Sequence, residues 1–121
     1  ELGSLSSLQI LYLNDNRLTG TIPGELWSLS SLIDLLVNNN QLTGSIPSAL
    51  GDDRILQSVF LYNNKMSGSI PSSFANLSFL SKLILSNNSF SGPLDPALSQ
   101  VESETCQFSL FSMSRTISCM E

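Results

Sequence analysis

The feature that most constrains this chain is a pattern of apolar residues, asparagine and glycine that recurs every 24 residues from Leu8 to Val101. The first copy contains Leu8, Leu11, Leu13, Asn16, Leu18, Gly20, Ile22 and Leu26. The later copies are Leu32, Leu35, Val37, Asn40, Leu42, Gly44, Ile46 and Leu50; Leu56, Val59, Leu61, Asn64, Met66, Gly68, Ile70 and Phe74; and Leu80, Leu83, Leu85, Asn88, Phe90, Gly92, Leu94 and Leu98. A fixed period of this length indicates stacked repeats, in which each unit buries its apolar face against its neighbours.

Each position of the repeat predicts a local structure. The alternation Leu11-Tyr12-Leu13 has the period of a short strand with its leucines turned inward, and stacked copies of it form a parallel sheet. The asparagine has donors and an acceptor, so it is predicted to bind turn backbone groups in its own and adjacent repeats. This polar ladder comprises Asn16, Asn40, Asn64 and Asn88. The far side of each coil is predicted to be a 3₁₀ or irregular turn. It carries Leu26, Leu50, Phe74 and Leu98.

Composition argues against several classes of function. Ten acidic and five basic residues give a net charge of -5 without a basic stripe, so a nucleic-acid partner is not expected. Histidine is absent, which removes the usual general base and the commonest transition-metal ligand. The carboxylates of residues 52–53 and 102–104 lie in polar segments without a predicted pocket. We therefore expect no catalytic residues, no metal and no cofactor. No apolar run is long enough to span a membrane, so this segment is not expected to contact one.

Residues 18–23 (LTGTIP), 42–47 (LTGSIP) and 66–71 (MSGSIP) closely resemble the plant-type leucine-rich-repeat family. That family includes ectodomains of receptor-like kinases and receptor-like proteins, and polygalacturonase-inhibiting proteins. The resemblance implies an α/β fold, a right-handed, horseshoe-like leucine-rich-repeat solenoid with its parallel sheet on the concave face and short 3₁₀ or irregular turns on the convex side. It also implies a non-catalytic module that binds a protein or peptide, or a cell-wall polysaccharide, in a secreted protein or outside the plasma membrane.

The period divides the chain into units of residues 8–31, 32–55, 56–79 and 80–103, with the regular pattern covering 8–101. Residues 1–7 resemble the end of a preceding repeat, so further repeats are expected upstream in a parent chain. Asp53 stands where the other repeats have an apolar residue. A buried unpaired carboxylate is costly, so we expect residues 51–54 to turn outward and Ile55 to fill the gap.

Residues 104–121 form a degenerate cap or tail in which the period fails. Phe108, Phe111 and Met113 reproduce the spacing of the first strand residues, which predicts a fifth strand. Cys106 and Cys119 flank this segment, and a disulfide between them would stabilise the cap in an oxidising compartment. The alternative is a pair of reduced cysteines in a frayed tail.

In the resembling family, the residues that flank the inward leucines of the sheet usually contact the partner. Carried over individually, they are Ile10, Tyr12, Asn14 and Asp15; Asp34, Leu36, Asn38 and Asn39; Ser58, Phe60, Tyr62 and Asn63; and Lys82, Ile84, Ser86 and Asn87. One column, Tyr12, Leu36, Phe60 and Ile84, is either an apolar binding stripe or a product of strand propensity alone. Asp34, Tyr62 and Lys82 are predicted to add polar selectivity beside it.

Two sequons begin at Asn76 and Asn87, and we favour glycosylation of Asn76 because a glycan on Asn87 would crowd the concave edge. Two other functions stay open. A regular column of hydroxyls suits a surface-structural or ice-binding protein, which an ice-recrystallisation assay would detect. The column comprises Thr19, Thr43, Ser67 and Ser91. The other is an intracellular protein-interaction scaffold.

Overall fold

The computed structural model describes residues 5–47, 55–91, 107–108 and 119–120. Within them the chain forms the strands β1 (Ile10–Tyr12), β2 (Thr19–Thr21), β3 (Asp34–Leu36), β4 (Gln41–Thr43), β5 (Ser58–Phe60), β6 (Ser67–Gly68), β7 (Lys82–Ile84), β8 (Ser89–Phe90), β9 (Gln107–Phe108) and β10 (Cys119–Met120). The order β1-β3-β5-β7 makes a four-stranded parallel sheet. Each residue lies opposite the one 24 positions later, as Leu11 does with Leu35. The predicted stack of parallel strands is confirmed.

The alternation within each strand decides which side chains enter the core. Leu35 and Val59 are fully buried at the centres of their strands, and the residues on either side of them face outward. The same core cluster also contains Leu32, Val37, Leu42, Leu56, Leu61, Met66, Leu80, Leu83, Leu85 and Phe90. Each of these side chains packs between coils, so no repeat encloses a core alone.

A second set of short strands follows the asparagine turns. β2 pairs with β4 and β6 pairs with β8, each pair being parallel. Their register differs from that of the main sheet, since Thr21 lies opposite Thr43. Gly44 has a φ of +85°, and a Cβ built there would lie 2.8 Å from Cγ2 of Thr21. Glycine is therefore required at this position for two reasons: the backbone is left-handed, and the adjacent coil lies too close to admit a Cβ.

Two short 3₁₀ helices lie on the convex side, at Leu26–Ser28 and Ser72–Asn76. They bury Leu26 and Phe74, as the repeat pattern predicts for these coils. The counterparts in the other repeats, including Leu50, Asp53 and Leu98, lie outside the described residues. Ile55 is 37% exposed, so the expectation that it fills a core gap is wrong. The next residue, Leu56, is buried at its regular position of the repeat.

The two ends of the stack differ from its middle. Leu13 and Leu18 are exposed, because the second coil covers one side of the first repeat and, among the described residues, no full coil covers its other side. At the other end, β9 pairs with β10 in antiparallel orientation. Phe111 and Met113 of the predicted fifth strand lie outside the described residues. In the described segments, no helix has both the length and the apolar character needed to cross a bilayer.

Candidate recognition surface on the concave sheet

Two rows of side chains point outward from the main sheet, because the middle residue of each strand faces the core. The first residues of the four strands form what we call the first row: Ile10, Asp34, Ser58 and Lys82. The third residues of the strands form what we call the third row: Tyr12, Leu36, Phe60 and Ile84. Members of each row lie directly opposite one another, with about 4.8 Å between neighbouring strands. The columns expected from the repeat are therefore present on the surface of the sheet.

The third row is not uniformly accessible. Tyr12 is 56% exposed, Leu36 and Phe60 are half-buried, and Ile84 is only 6% exposed. Ile84 was predicted as a member of an exposed stripe, and the structure corrects that placement. The chain returns close to β7 at β10, which lies near the strand that carries Ile84. The apolar stripe is therefore defined as Tyr12, Leu36 and Phe60.

An aromatic pair extends the apolar stripe past the end of β5. The rings of Phe60 and Tyr62 have centroids 6.2 Å apart and planes inclined by 48°. This tilted arrangement is among those that aromatic rings favour. Tyr62 is half-buried, like Phe60, so each ring keeps part of its surface open to solvent. The pair offers both apolar area and the Tyr62 hydroxyl to a ligand.

Asp34 and Lys82 are the charged side chains that the four strands of the main sheet carry. Both stand in the first row, with Ser58 between them. Asp34 is half-buried and Lys82 is exposed. In the described part of the chain, neither side chain has an ion-pair partner. Asp34 and Lys82, the two charged residues among the three predicted to give polar selectivity, thus lie on the same face as the apolar stripe and form no ion pair with a described residue.

The asparagine ladder lies just beyond the ends of the strands. Asn64 donates from Nδ2 to the carbonyls of Leu61 and Val37, each at 3.0 Å, and its Oδ1 accepts from the backbone N–H of Leu42 at 2.9 Å. Asn40 and Asn88 make equivalent bonds one repeat away on either side. These amides join each coil to the one before it, and so fix the relative position of neighbouring strands.

Asn16 differs from the other members of the ladder. Its Nδ2 donates to the carbonyls of Leu13 and Asn14, both in its own repeat. It is exposed, whereas Asn64 is buried. The same residue type at the same repeat position therefore links two coils in the third repeat and, among the described residues, holds only its own turn in the first repeat.

A second polar column, not predicted from the sequence, lies one position before the asparagine ladder. It comprises Asp15, Asn39, Asn63 and Asn87. All four have positive φ, between 52° and 57°, a conformation that Asn and Asp tolerate better than other side chains. Each amide donates to the preceding member at 2.6 Å, ending on the Asp15 carboxylate. Side chains at positions that the resemblance assigned to partner contact thus hydrogen-bond to one another. The sequence signal for this column is the pair of adjacent Asn or Asp residues that recurs in every repeat.

Asn38 was also placed among the exposed contact residues, but its side chain is only 3% exposed. Its Oδ1 is buried without a hydrogen-bond partner. The next position in its column is occupied by Tyr62, whose ring is large enough to shield an amide. Asn38 is therefore a buried residue rather than an exposed contact residue.

The remaining predicted sites are more scattered. Asn76 is exposed at the end of the second 3₁₀ helix, and Asn87 is exposed with its Nδ2 bonded to Asn63. Cys106 lies outside the described residues, and Cys119 begins β10. The hydroxyl column, Thr19, Thr43, Ser67 and Ser91, is exposed throughout. Among the described residues, no cluster of three or more acidic, cysteine or histidine residues is placed to hold a metal ion.

Solved structures share this fold. The ectodomain of the Arabidopsis thaliana receptor kinase GASSHO1/SCHENGEN3, in complex with CASPARIAN STRIP INTEGRITY FACTOR 2, is 37% identical, covers 83% of this chain and 12% of its own, with a TM-score of 0.78. The Arabidopsis receptor kinase HAESA, in complex with the peptide hormone IDA and the co-receptor SERK1, is 35% identical, covers 85% of this chain and 17% of its own, with a TM-score of 0.81. The BIR3–SERK2 complex from Arabidopsis thaliana is 39% identical, covers 82% of this chain and 53% of its own, with a TM-score of 0.76.

The chain spans about half the length of the last of these proteins and a smaller part of the other two. Comparison with curated proteins gives no sequence match. The family model described as Leucine Rich Repeat matches residues 7–29, 31–52, 56–77 and 79–101, which is more than half of the sequence. These matched segments follow the coils of the solenoid one by one. The chain therefore belongs to the leucine-rich-repeat family, in the plant type found in receptor-kinase ectodomains.

Proposed function

We propose that this chain is a non-catalytic recognition module of an extracellular protein, and that it holds a peptide or protein segment against its concave sheet. The observation that supports this proposal is the partly exposed apolar stripe of Tyr12, Leu36 and Phe60, with Asp34 and Lys82 on the same face. Contiguous apolar area on a surface commonly serves binding, and nearby charges add selectivity.

The relatives favour a peptide as the first ligand class to test. HAESA is seen with the peptide hormone IDA, and another similar structure is a peptide hormone receptor, RGFR1, in complex with RGF2. A cell-wall polysaccharide is the second class, because the Phe60 and Tyr62 rings also offer flat faces to a sugar. Surface plasmon resonance can compare the binding of both ligand classes.

Replacing Tyr12 and Phe60 with serine tests the binding surface. We expect peptides selected from a displayed random library on the unaltered protein to lose at least about tenfold in affinity for the double variant, because truncated aromatic anchors typically cost more than 1 kcal/mol each. Phe79→Ser is the matched control, since Phe79 is exposed but lies outside the strands. Binding by surface plasmon resonance and folding by circular dichroism are the measurements. Equal affinity for all variants would contradict the proposal.

The extracellular setting is tested on the natural protein by peptide mass mapping without reduction. We expect Cys106 joined to Cys119, and a glycan on Asn76. Asn76 is favoured over Asn87 because it is exposed on the convex side, whereas a glycan on Asn87 would crowd the concave edge. Free thiols together with unmodified Asn76 would point instead to an intracellular scaffold.

A further inference from the structure

We propose that the concave sheet selects an extended peptide that carries a basic and an acidic side chain three residues apart, bound by Asp34 and Lys82 respectively. This proposal rests on the proposed function and specifies the chemistry of its ligand. It starts from two unpaired charges of opposite sign on one face, at a spacing that the register of the sheet fixes.

Asp34 and Lys82 do not form an ion pair with each other. Asp34 lies opposite Ser58, and Ser58 lies opposite Lys82, so two strand spacings separate the outer pair. At about 4.8 Å per spacing their backbones are about 9.6 Å apart. That distance is close to the Debye length of about 8 Å at physiological salt, so solvent weakens the attraction across the exposed surface. Each charge is available to a ligand.

The spacing matches one peptide conformation. In a polyproline II helix, three residues complete a turn and rise about 9.3 Å, so residues i and i+3 project from the same side. This length is close to the backbone separation of Asp34 and Lys82. A β-strand ligand places same-side residues about 6.7 or about 13 Å apart, which lie further from that separation. The sheet therefore favours a polyproline II ligand running across the strands.

The apolar stripe gives the intervening ligand residues a place to pack. Leu36 and Phe60 stand on the same strands as Asp34 and Ser58, two residues further along. A peptide whose charged side chains face the first row has its intervening side chains pointing away from that row. Those on the side of the third row meet Leu36 and Phe60, which favours proline or another apolar residue between the two charges. The ligand class is thus basic-apolar-apolar-acidic, or the reverse order.

The test uses short acetylated, amidated peptides in which one basic and one acidic residue are separated by prolines, so that all probes have the same net charge. Lys-Pro-Pro-Glu and Glu-Pro-Pro-Lys have the matching spacing, and versions with one proline fewer or one more do not. By calorimetry on the whole chain, the better of the two matching probes is expected to bind about two- to fivefold tighter than either mismatched version. Asp34→Asn and Lys82→Gln should each remove this preference. The exchanged variant Asp34→Lys with Lys82→Asp should prefer the opposite peptide orientation.

Glu25→Gln and Lys65→Gln are the matched controls, because they remove the same charges from exposed positions outside the main sheet. They should leave the spacing preference unchanged. Equal affinity for all spacings, or a preference that survives loss of Asp34 and Lys82, would overturn the charge clamp. If binding still depended on Tyr12, the proposed function would stand without the clamp. If no probe or library peptide bound in a Tyr12-dependent way, the proposed function would fail and the clamp with it.

Discussion

The first and third repeats carry the same pattern, yet the structure treats them differently. Leu13 and Leu18 of the first repeat are 37% and 38% exposed, whereas their counterparts Leu61 and Met66 are both 0% exposed. The sequences at these positions are equally apolar, so the difference comes from the coils stacked on either side. Burial in this fold belongs to a junction between repeats rather than to a repeat.

The polar groups show the same difference. Asn64 bonds to two repeats and is buried, while Asn16 bonds only to carbonyls of its own turn. Stability should therefore fall steeply from the middle of the stack to its first coil. Substitutions at equivalent positions test this directly, because the residue type is held constant and only the position in the stack changes.

The largest contrast is expected between Leu61→Ala and Leu13→Ala. Leu61 is fully enclosed, so its truncation leaves a cavity and should lower the free energy of unfolding by about 4 kcal/mol. Leu13 is already partly in water, and its truncation should cost about 1 kcal/mol. Urea unfolding followed by fluorescence measures both, since the single tryptophan, Trp27, is buried. Equal losses would mean that another coil covers the first repeat in solution.

A smaller contrast is expected between Asn64→Ala and Asn16→Ala. Loss of the Asn64 amide leaves the backbone N–H of Leu42 and the Val37 carbonyl without these partners inside the stack, at a cost of about 3 kcal/mol. The carbonyls released by Asn16→Ala can bind water, so this cost should stay below about 1 kcal/mol. The same urea titration applies. A cost at Asn16 equal to that at Asn64 would contradict the view that the ladder acts between coils.

The sequence predicted what every repeat shares. The inward position of Leu35 and Val59, the parallel register and the turn asparagines follow from the period, since each copy meets the same neighbours. Ile84 and Asn38 were misplaced because exposure of an outward side chain depends on what lies beside it, which differs from repeat to repeat. The charges of Asp34 and Lys82 were visible in the sequence, but their separation required the register.

The glycines give the smallest contrast and the most local one. Gly20 and Gly44 have similar positive φ values, so alanine at either should strain the backbone by about 1 kcal/mol. A Cβ at Gly20 would meet no atom within 4 Å, whereas one at Gly44 would lie 2.8 Å from Cγ2 of Thr21 in the preceding coil. Threonine is stiff at χ1, so this methyl group cannot easily turn away. Gly44→Ala should therefore cost about 1 kcal/mol more than Gly20→Ala.

A double-mutant cycle isolates the extra cost. Thr21→Ser removes Cγ2 and keeps the hydroxyl, so in that background Gly44→Ala should cost no more than Gly20→Ala does in the unaltered chain. If the excess persisted, contact with the Thr21 methyl group would not be its cause, and the two glycines would differ for another reason. If it disappeared, one methyl group would explain why the same glycine of the repeat is constrained in the second coil and free of contact in the first. The junction between coils would then govern the glycines as it governs the leucines and the asparagines.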